Sequence, residues 1–454
     1  MISLLPIGGG NEIGANSYYI NFNGNGIILD CGIHPQKTGL ESLPNFDLLK
    51  DKPIDSCLIS HAHQDHIGSL PFLVKNFPYV KIITTPQTRA LAELTLHNSV
   101  SILKKEIESN GFEFYSHDEV DLLIKMIEYK EYQNKFEINS FHQKKEAKVN
   151  CTFFDAGHIL GSAGILLENN NHKIFYTGDI NLTQQTLLSK AKLPEIKIDT
   201  LILETTYGAT DSNLLLDWDA ESLRFAGEAN KILNNGGSIL IPVFSLGKMQ
   251  EILATIWLLM EKRKLTTVDI YIGGLGTKIN LVYDYNRFVV NRVDKEFELR
   301  SVPQKDYFQI SNSEEFFKHP CIVLASSGMM IKSTSSFTFA KRWLKQKDSA
   351  IFMVGYMDSK TPGYIIANSK TGDKIQLTEF DELTDVSCTI RNFKFSAHAR
   401  REDLLSIVDK LNPDTVILMH GDEYSLDWMG SSILKKHKSI KVQTAEVGKE
   451  IKIF

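Results

Sequence analysis

The stretch that decides the fold of this 454-residue chain is HAHQDH, residues 61–66. It lies between a predicted strand and a predicted helix, so it forms a bend at the end of an extended segment. Residues two apart in an extended chain point to the same side, and His61 and His63 can therefore bind one metal ion. Asp65 and His66 lie past the bend and can reach a second ion about 3.5–4 Å away, the usual spacing of paired-metal sites.

Three more potential ligands come directly after predicted strands, and they are His158, Asp179 and His420. Taken singly, each has an ordinary structural explanation, because Gly-Asp marks turns and a lone histidine often only makes a hydrogen bond. Their shared position at strand ends, where functional residues gather in layered α/β folds, favours a role in the site. A carboxylate such as Asp179 can bridge two ions, and Asp30, also at a strand end, can orient a ligand from behind.

Composition places the chain among ordinary globular proteins. It has 43% hydrophobic and 23% charged residues, and 50 Lys and Arg against 55 Asp and Glu give a net charge of -5. A single core stops growing at about 250–300 residues, so two domains are expected. No apolar run reaches the roughly 18 residues of a membrane span, which predicts a protein without membrane contact. The five scattered cysteines contain no CxxC pair and predict a cytoplasmic protein in a reducing compartment.

The order of predicted elements indicates one domain inserted into another. Up to residue 207 the chain is strand-rich, with a helical stretch at 88–132. Residues 208–388 alternate short apolar strands with helices, which predicts a parallel sheet covered on both faces. Strand-like sequence resumes at residue 389. We therefore predict a first domain made of residues 1–207 and 389–454, with residues 208–388 inserted into it.

These residues resemble the motif set of the metallo-β-lactamase superfamily, and further segments narrow the resemblance to its β-CASP group. LILETTYG at 201–208 resembles motif A with Glu204 as its acid, and KFSAHA at 394–399 resembles motif B with His398. His420 lies where motif C belongs, and histidine there is typical of the RNA-cleaving branch. The similarity extends over almost the whole chain and includes RNA 3′-end-processing endonucleases and their compact prokaryotic relatives.

The resemblance implies an α/β fold, a four-layered αβ/βα metallo-β-lactamase sandwich with an inserted β-CASP α/β domain. It also implies two zinc ions per chain, bridged by one carboxylate and a hydroxide. The implied residues are His61, His63 and His158 for one ion, Asp65, His66 and His420 for the other, Asp179 as the bridge, and His398, Glu204 and Asp65 for catalysis.

The resemblance thus implies a zinc-dependent ribonuclease that hydrolyses RNA phosphodiester bonds with a hydroxide activated by two metals. The leaving 3′ oxygen needs a proton, and we predict His398 as the acid, with Glu204 holding its ring. RNA would lie in the cleft between the domains, with contributions from Lys248 and Arg400. The Ser-Ala-His form of motif B favours endonucleolytic cleavage.

Three alternatives stay open at the level of the sequence. A 5′-exoribonuclease of the same fold needs a pocket for a terminal phosphate, which Ser396 could help to form. A thioester or lactam hydrolase could use the same zinc ligands, although a small substrate does not require the insertion. The third is a metal-stabilised RNA-binding scaffold without catalysis. The sequence also leaves the oligomeric state open, a homodimer included.

Overall fold

The computed structural model describes residues 2–110, 115–139, 148–310, 312–355 and 357–454. The chain folds into two compact units, each made of segments that are separate in the sequence. The first unit contains Met1–Thr183, Lys190–Leu214 and His398–Phe454, and the second contains Gln184–Ser189 and Leu215–Ala397. Each unit has buried hydrophobic clusters of its own.

Strands, several of them consecutive, and helices make up the described part of the chain. In chain order, the strands there are β1 (Ile2–Gly8), β2 (Ser17–Phe22), β3 (Asn25–Leu29), β4 (Ser56–Leu58), β5 (Lys81–Thr84), β6 (Glu128–Tyr129), β7 (Phe136–Ile138), β8 (Val149–Asp155), β9 (Ala163–Glu168), β10 (Lys173–Tyr176), β11 (Thr200–Glu204), β12 (Ile239–Pro242), β13 (Asp269–Ile272), β14 (Lys305–Asp306), β15 (Cys321–Ala325), β16 (Ala350–Met353), β17 (Lys374–Ile375), β18 (Thr384–Asp385), β19 (Thr389–Asn392), β20 (Thr415–Met419), β21 (Lys441–Thr444) and β22 (Ile451–Lys452).

The α-helices of the same residues are α1 (Gln64–Ile67), α2 (Leu70–Asn76), α3 (Pro86–Asn110), α4 (His117–Met126), α5 (Trp218–Leu233), α6 (Lys248–Glu261), α7 (Leu275–Tyr285), α8 (Ser335–Trp343), α9 (Pro362–Ala367), α10 (Arg401–Leu411) and α11 (Glu423–Lys436). Within the described ranges, no helix has the length and apolar character needed to cross a membrane.

Two seven-stranded sheets pack face to face in the first unit. Their strand orders are β22-β1-β2-β3-β4-β5-β6 and β21-β20-β11-β10-β9-β8-β7. Ile20 of the first sheet shares a buried cluster with Ile165 and Ile202 of the second. Side chains alternate between the two faces of a strand, so Leu201 and Leu203 point away from that cluster. They pack instead with apolar residues of α10 and α11, which cover the outer face of the second sheet.

Local sequence explains several elements of this unit. The β2–β3 hairpin turns through Asn23 and Gly24, whose φ angles of 53° and 88° are both positive, as a two-residue Asn-Gly hairpin turn requires. Helix α4 begins at a capping box, in which the Ser116 hydroxyl accepts from the Glu119 backbone and the Glu119 carboxylate accepts from the Ser116 backbone. Helices α3 and α4 confirm the helical stretch predicted at 88–132 up to Met126, whereas Glu128–Tyr129 at its end form β6.

A six-stranded sheet of order β14-β13-β15-β12-β16-β19 forms the centre of the second unit, and all its strand pairs are parallel. This confirms the parallel sheet predicted from apolar strands that alternate with helices. Phe352 of β16 packs on Phe225 of α5, with ring centroids 5.4 Å apart. Its neighbours Ile351 and Met353 point to the opposite face and share a buried cluster with Trp343 of α8. Helices therefore cover both faces of the sheet.

A buried carboxylate anchors the short segment Gln184–Ser189 in the second unit. Glu251, in the first turn of α6, is 1% exposed. It accepts hydrogen bonds from the backbone nitrogens of Leu187 at 2.7 Å and Leu188 at 3.1 Å. Burial raises the pKa of Glu251 to about 7, although these two hydrogen bonds favour its charged form. The segment is thus held by a group that changes its charge near neutral pH.

We expect Glu251→Gln to change how stability depends on pH. Folding raises the pKa of Glu251 from 4.5 to about 7, so the protonated carboxyl contributes to the stability of the folded protein. This contribution is complete below pH 4.5 and is lost as the pH rises to about 7. Glutamine does not titrate, so the melting temperature of the wild-type protein should fall relative to that of the variant over this window. Thermal unfolding across the same pH range measures the difference.

The matched control for this experiment is Glu261→Gln, which changes an exposed glutamate at the end of the same helix. Its melting temperature should follow that of the wild-type protein at each pH. A difference between wild type and Glu251→Gln that stays constant across the window would contradict the raised pKa of Glu251.

Candidate metal centre

Strand ends bring the predicted ligands together in the first unit. β8 and β10 are both antiparallel to β9, while β10, β11 and β20 are mutually parallel, so these four strands run in one direction. Their carboxyl ends therefore meet at one edge of the sheet, where His158, Asp179 and His420 follow β8, β10 and β20. Residues 61–66 come from the other sheet, at the junction between β4 and α1.

A first cluster contains His61, His63, His158 and Asp179. The Nε2 atoms of His61 and His158 lie 3.1 Å and 3.2 Å from Nδ1 of His63. The Oδ2 atom of Asp179 is 3.6 Å from each of those two Nε2 atoms. Ligand atoms that bind a tetrahedral zinc ion at about 2.0–2.1 Å stand roughly 3.3 Å from one another. The spacing of these four side chains therefore fits a metal ion.

A second cluster contains Asp65, His66 and His420. The Oδ2 atom of Asp65 lies 3.6 Å from Nε2 of His66 and 3.5 Å from Nε2 of His420. The Oδ1 atom of Asp179, which does not face the first cluster, lies 3.5 Å from Nε2 of His66. Asp179 therefore points one oxygen toward each cluster, as a bridging carboxylate has to do.

Two buried polar atoms of this centre support the fit of a cation. His420 Nε2 makes no hydrogen bond with any residue that the structure describes, and Asp179 Oδ1 makes none of regular geometry, although it lies 3.1 Å from Nδ1 of His420. Leaving buried polar atoms unsatisfied is unfavourable, and a divalent ion between the ligands would satisfy both of them. Imidazole nitrogens mixed with carboxylate oxygens are donors that suit zinc.

Asp30 fixes the orientation of His66 from behind. Its Oδ2 atom lies 2.8 Å from Nδ1 of His66 and accepts hydrogen bonds from the hydroxyls of Ser60 at 2.7 Å and Tyr176 at 2.5 Å. The Nδ1–H of His66 donates to this carboxylate, which leaves Nε2 to face the second cluster. A φ of 58° turns the backbone sharply at Asp30, directly after β3. The carboxylate thus reaches the back of the imidazole ring.

Ser60, Tyr176 and Asn16 are site residues that the sequence did not single out. The Ser60 hydroxyl also lies 3.0 Å from Nδ1 of His61, and the Asn16 amide lies 3.0 Å from Nε2 of His66. Their sequence signal is weak, because serine and tyrosine at strand ends and asparagine after a glycine-rich turn are common in any fold. Only their distance from the ligands identifies them.

Glu204 and His398 lie together beside the first cluster. Nδ1 of His398 is 3.1 Å and 3.3 Å from the two carboxylate oxygens of Glu204, and the rings of His398 and His158 are 4.6 Å apart between centroids. Glu204 is fully buried and accepts hydrogen bonds from the backbone nitrogens of Ile180 and Thr206. Burial lowers the pKa of His398, but the charge of Glu204 and its neighbours outweighs burial and raises that pKa above its usual value.

Lys248, for which the sequence predicted a contact with RNA, has partners within the second unit. Its ammonium group donates to the carbonyl oxygen of Phe395 and lies over the ring of Trp218, 5.3 Å from the centroid. Burial lowers the pKa of Lys248 to about 8. The amine therefore holds the segment that leads into motif B. Its contact with RNA, like that of Arg400, stays a prediction.

Family comparisons find three known domains along the chain. A metallo-beta-lactamase superfamily domain matches residues 19–206, a Beta-Casp domain matches residues 249–366, and a Zn-dependent metallo-hydrolase RNA specificity domain matches residues 384–445. Together with the sheets described above, this order confirms the predicted fold class. Divalent-metal binding is implied by the superfamily and agrees with the two clusters.

Relatives match the chain over nearly its whole length. Cleavage and polyadenylation specificity factor subunit 3 of Dictyostelium discoideum is 30% identical over 98% of this chain, and an endoribonuclease of Schizosaccharomyces pombe is 27% identical over 97%. The chain spans only 56% and 57% of the lengths of these two proteins. An RNase J-like protein of Methanocaldococcus jannaschii is 30% identical, and that match covers 93% of each chain.

A solved structure shows the same fold. The crystal structure of a protein of unknown function from Enterococcus faecalis V583 matches with a TM-score of 0.57 and 14% identity over 99% of each chain. At this identity the likeness concerns the fold and not the chemistry of the site.

We expect Asp179→Ala to lower the binding of both metal ions, because its two oxygens face the two clusters separately. Residues that only support a ligand contribute about 10–100-fold to metal affinity, and the loss of a shared ligand should exceed that range. Metal analysis after dialysis at a fixed free zinc concentration measures the change. Asp427→Ala, at an exposed position of α11, is the control and should keep the wild-type content. Near-normal zinc in Asp179→Ala would contradict the bridging role.

Proposed function

Because the chain belongs to the β-CASP group of the metallo-β-lactamase superfamily, we propose that it is a zinc-dependent ribonuclease that cleaves RNA internally. The observation that carries this proposal is the pair of Glu204 and His398 beside the clusters. Asp179, Glu204 and His398 each offer one atom within 4.8 Å of the others. Holding metal ions requires no such pair, whereas breaking a phosphodiester bond requires a proton for the leaving oxygen.

In this proposal each cluster holds one zinc ion. The ligands would be His61, His63 and His158 for the first ion, Asp65, His66 and His420 for the second, and Asp179 for both. Ions bound there supply a water whose pKa is lowered toward about 7 and offset the negative charge on the phosphate. The hydrogen bond of His66 to Asp30, and that of His61 to Ser60, keep the Nε2 atom of each ring directed at its cluster.

The bond that breaks joins phosphorus to the 3′ oxygen of one nucleotide. A water molecule releases a proton to solvent, the hydroxide that remains adds its oxygen to phosphorus, and His398 donates a proton to the departing 3′ oxygen. His398 then regains a proton from solvent. The products are therefore a 5′-phosphate and a 3′-hydroxyl. Glu204 contacts Nδ1 of His398, so the proton leaves from Nε2 on the other side of the ring. The raised pKa of His398 favours the protonated form that this step consumes.

Two observations support RNA as the substrate. The segment that matches an RNA specificity domain, residues 384–445, includes both His398 and His420. Among the relatives described above, one is named an endoribonuclease and another an RNase J-like protein. The identity and number of the zinc ions, the position of RNA between the domains and a cytoplasmic location stay predictions.

We expect His398→Ala to keep its metal ions and its affinity for RNA but to cleave about 10²–10⁴-fold more slowly, as is usual when a general acid is lost. Single-turnover cleavage of a labelled RNA, together with zinc analysis of the same sample, measures both properties. His437→Ala is the control, because His437 is paired with Asp409 at the surface. If His398→Ala loses one zinc ion, His398 is a ligand and not the acid.

The mode of attack is tested with a circular RNA, which has no end to capture. We expect the zinc-loaded protein to cut an unstructured circle and a linear 5′-monophosphorylated RNA of the same sequence. We also expect RNA binding to weaken as salt rises, since phosphate contacts release counterions. If the protein degrades the linear RNA and leaves the circle intact, the endonuclease assignment is wrong and the protein is a 5′-exonuclease.

A further inference from the structure

Two threonines that follow β11 hold the loop that carries His420. Strands β11 and β20 are paired in parallel up to Glu204 and Met419, so the loops after them start side by side. The backbone nitrogen of Thr205 lies 3.3 Å from the carbonyl oxygen of His420, and the hydroxyl of Thr206 lies 3.4 Å from the same oxygen. The φ of His420 is 52°, which residues other than glycine rarely adopt. The two threonines therefore stabilise a backbone conformation that the residue itself does not favour.

The hydroxyl of Thr206 also contacts the imidazole ring of His420. Its Oγ1 atom lies 3.2 Å from Nδ1 of that ring. The other ring nitrogen, Nε2, lies 3.5 Å from Oδ2 of Asp65 and makes no hydrogen bond with the residues that the structure describes. One nitrogen of His420 thus has a hydroxyl beside it, while the other faces the second cluster.

Counting hydrogens gives the direction of this contact. A nitrogen that binds a metal ion has no hydrogen, so in a ring that holds a cation at Nε2 the hydrogen lies on Nδ1. Oδ1 of Asp179, which as an ionised carboxylate only accepts, lies 3.1 Å from the same Nδ1 and fits this assignment. The Thr206 oxygen therefore accepts from Nδ1–H, and its own hydrogen points to the carbonyl oxygen of His420.

Thr206 is the partner of Nδ1 that stays available when the second cluster holds a cation. Oδ1 of Asp179 also lies 3.5 Å from Nε2 of His66, and in the proposed site it is a ligand. Its contact with Nδ1 of His420 has no regular hydrogen-bond geometry. Thr206 is half-buried, and its backbone nitrogen donates to Oε2 of Glu204 at 3.2 Å. Its hydroxyl is thus held beside the ring from the protein side.

We propose that Thr206 is a positioning residue of the second cluster, and that its hydroxyl keeps Nε2 of His420 directed at the cation. This inference rests on the proposed metal site and adds to it a support for His420, as Asp30 supports His66. A hydrogen bond at the other nitrogen orients a ligand ring and makes it more basic, and both effects strengthen metal binding. The ligands of the first cluster are other histidines, so loss of the hydroxyl should weaken one ion and spare the other.

Zinc titration of Thr206→Val and Thr206→Ser tests this inference. Valine keeps the shape of threonine but has no hydroxyl, so the ion of the second cluster should bind about 10–100-fold more weakly and the other ion as in the wild type. Serine keeps the hydroxyl and should bind both ions as the wild type does. Both affinities are measured on the metal-free whole chain by competition with a chelator, beside thermal unfolding of the same samples.

Two further variants make the titration specific. Thr444→Val, at an exposed position of β21, is the control and should leave both zinc affinities unchanged. Asp65→Ala removes a ligand from the second cluster alone, so it shows which of the two measured affinities belongs to that cluster.

Three results of the titration overturn the inference: equal weakening of the two ions in Thr206→Val, no weakening, or a serine variant as weak as the valine variant. If Thr206→Val does not fold, Thr206→Ala decides, and unchanged binding of the ion of the second cluster overturns the inference. Wild-type protein that binds two ions but leaves RNA intact refutes the proposed function alone, because the titration does not depend on cleavage.

Discussion

The buried negative charge of Asp179 is the constraint on which the rest of the site depends. Its side chain is almost fully buried, and a charge in that position is strongly unfavourable unless cations or hydrogen-bond donors surround it. Imidazole rings on both sides, led by His61 and His66, meet its two oxygens separately. His61 and His66 follow β4 of the first sheet, whereas the rings of His158 and His420 follow strands of the second sheet. The sheets therefore have to pack on their shared core before the charge can be balanced.

A set of polar residues behind the ligands keeps the rings in place. Asp30 gathers hydrogen bonds from Ser60 and Tyr176 and accepts from His66, so one carboxylate orders several groups at once. Each of these hydrogen bonds restricts the rotation of a side chain already in the metal-free folded protein. Less conformational entropy is then lost when an ion binds, and affinity rises for that reason. The side-chain amide of Asn16 lies 3.0 Å from Nε2 of the same ring.

The second unit contains a buried carboxylate, Glu251, and a half-buried amine, Lys248, that bind backbone groups. Glu251 binds the backbone of Gln184–Ser189, and Lys248 binds the carbonyl of Phe395. Both groups lie where the chain enters or leaves this unit, and burial displaces the pKa of each toward neutral pH. Removing these charged groups from water is unfavourable in itself. The hydrogen bonds that they make to Gln184–Ser189 and to Phe395 offset part of this cost and hold these connecting segments in place.

The sequence of residues 61–66 and the apolar strands of the insertion were enough to predict a metal cluster and a parallel sheet. The two-residue period of an extended chain predicts that His61 and His63 share a cluster, and the alternation of strands with helices predicts the parallel sheet. Other features depend on contacts that local sequence does not encode. The hydroxyl of Tyr176 reaches Asp30 across 146 residues, and Lys248 turns inward although its sequence resembles a surface position. Only the packed tertiary structure decides such pairings, because they depend on which strand ends meet and on which polar atoms are left without water.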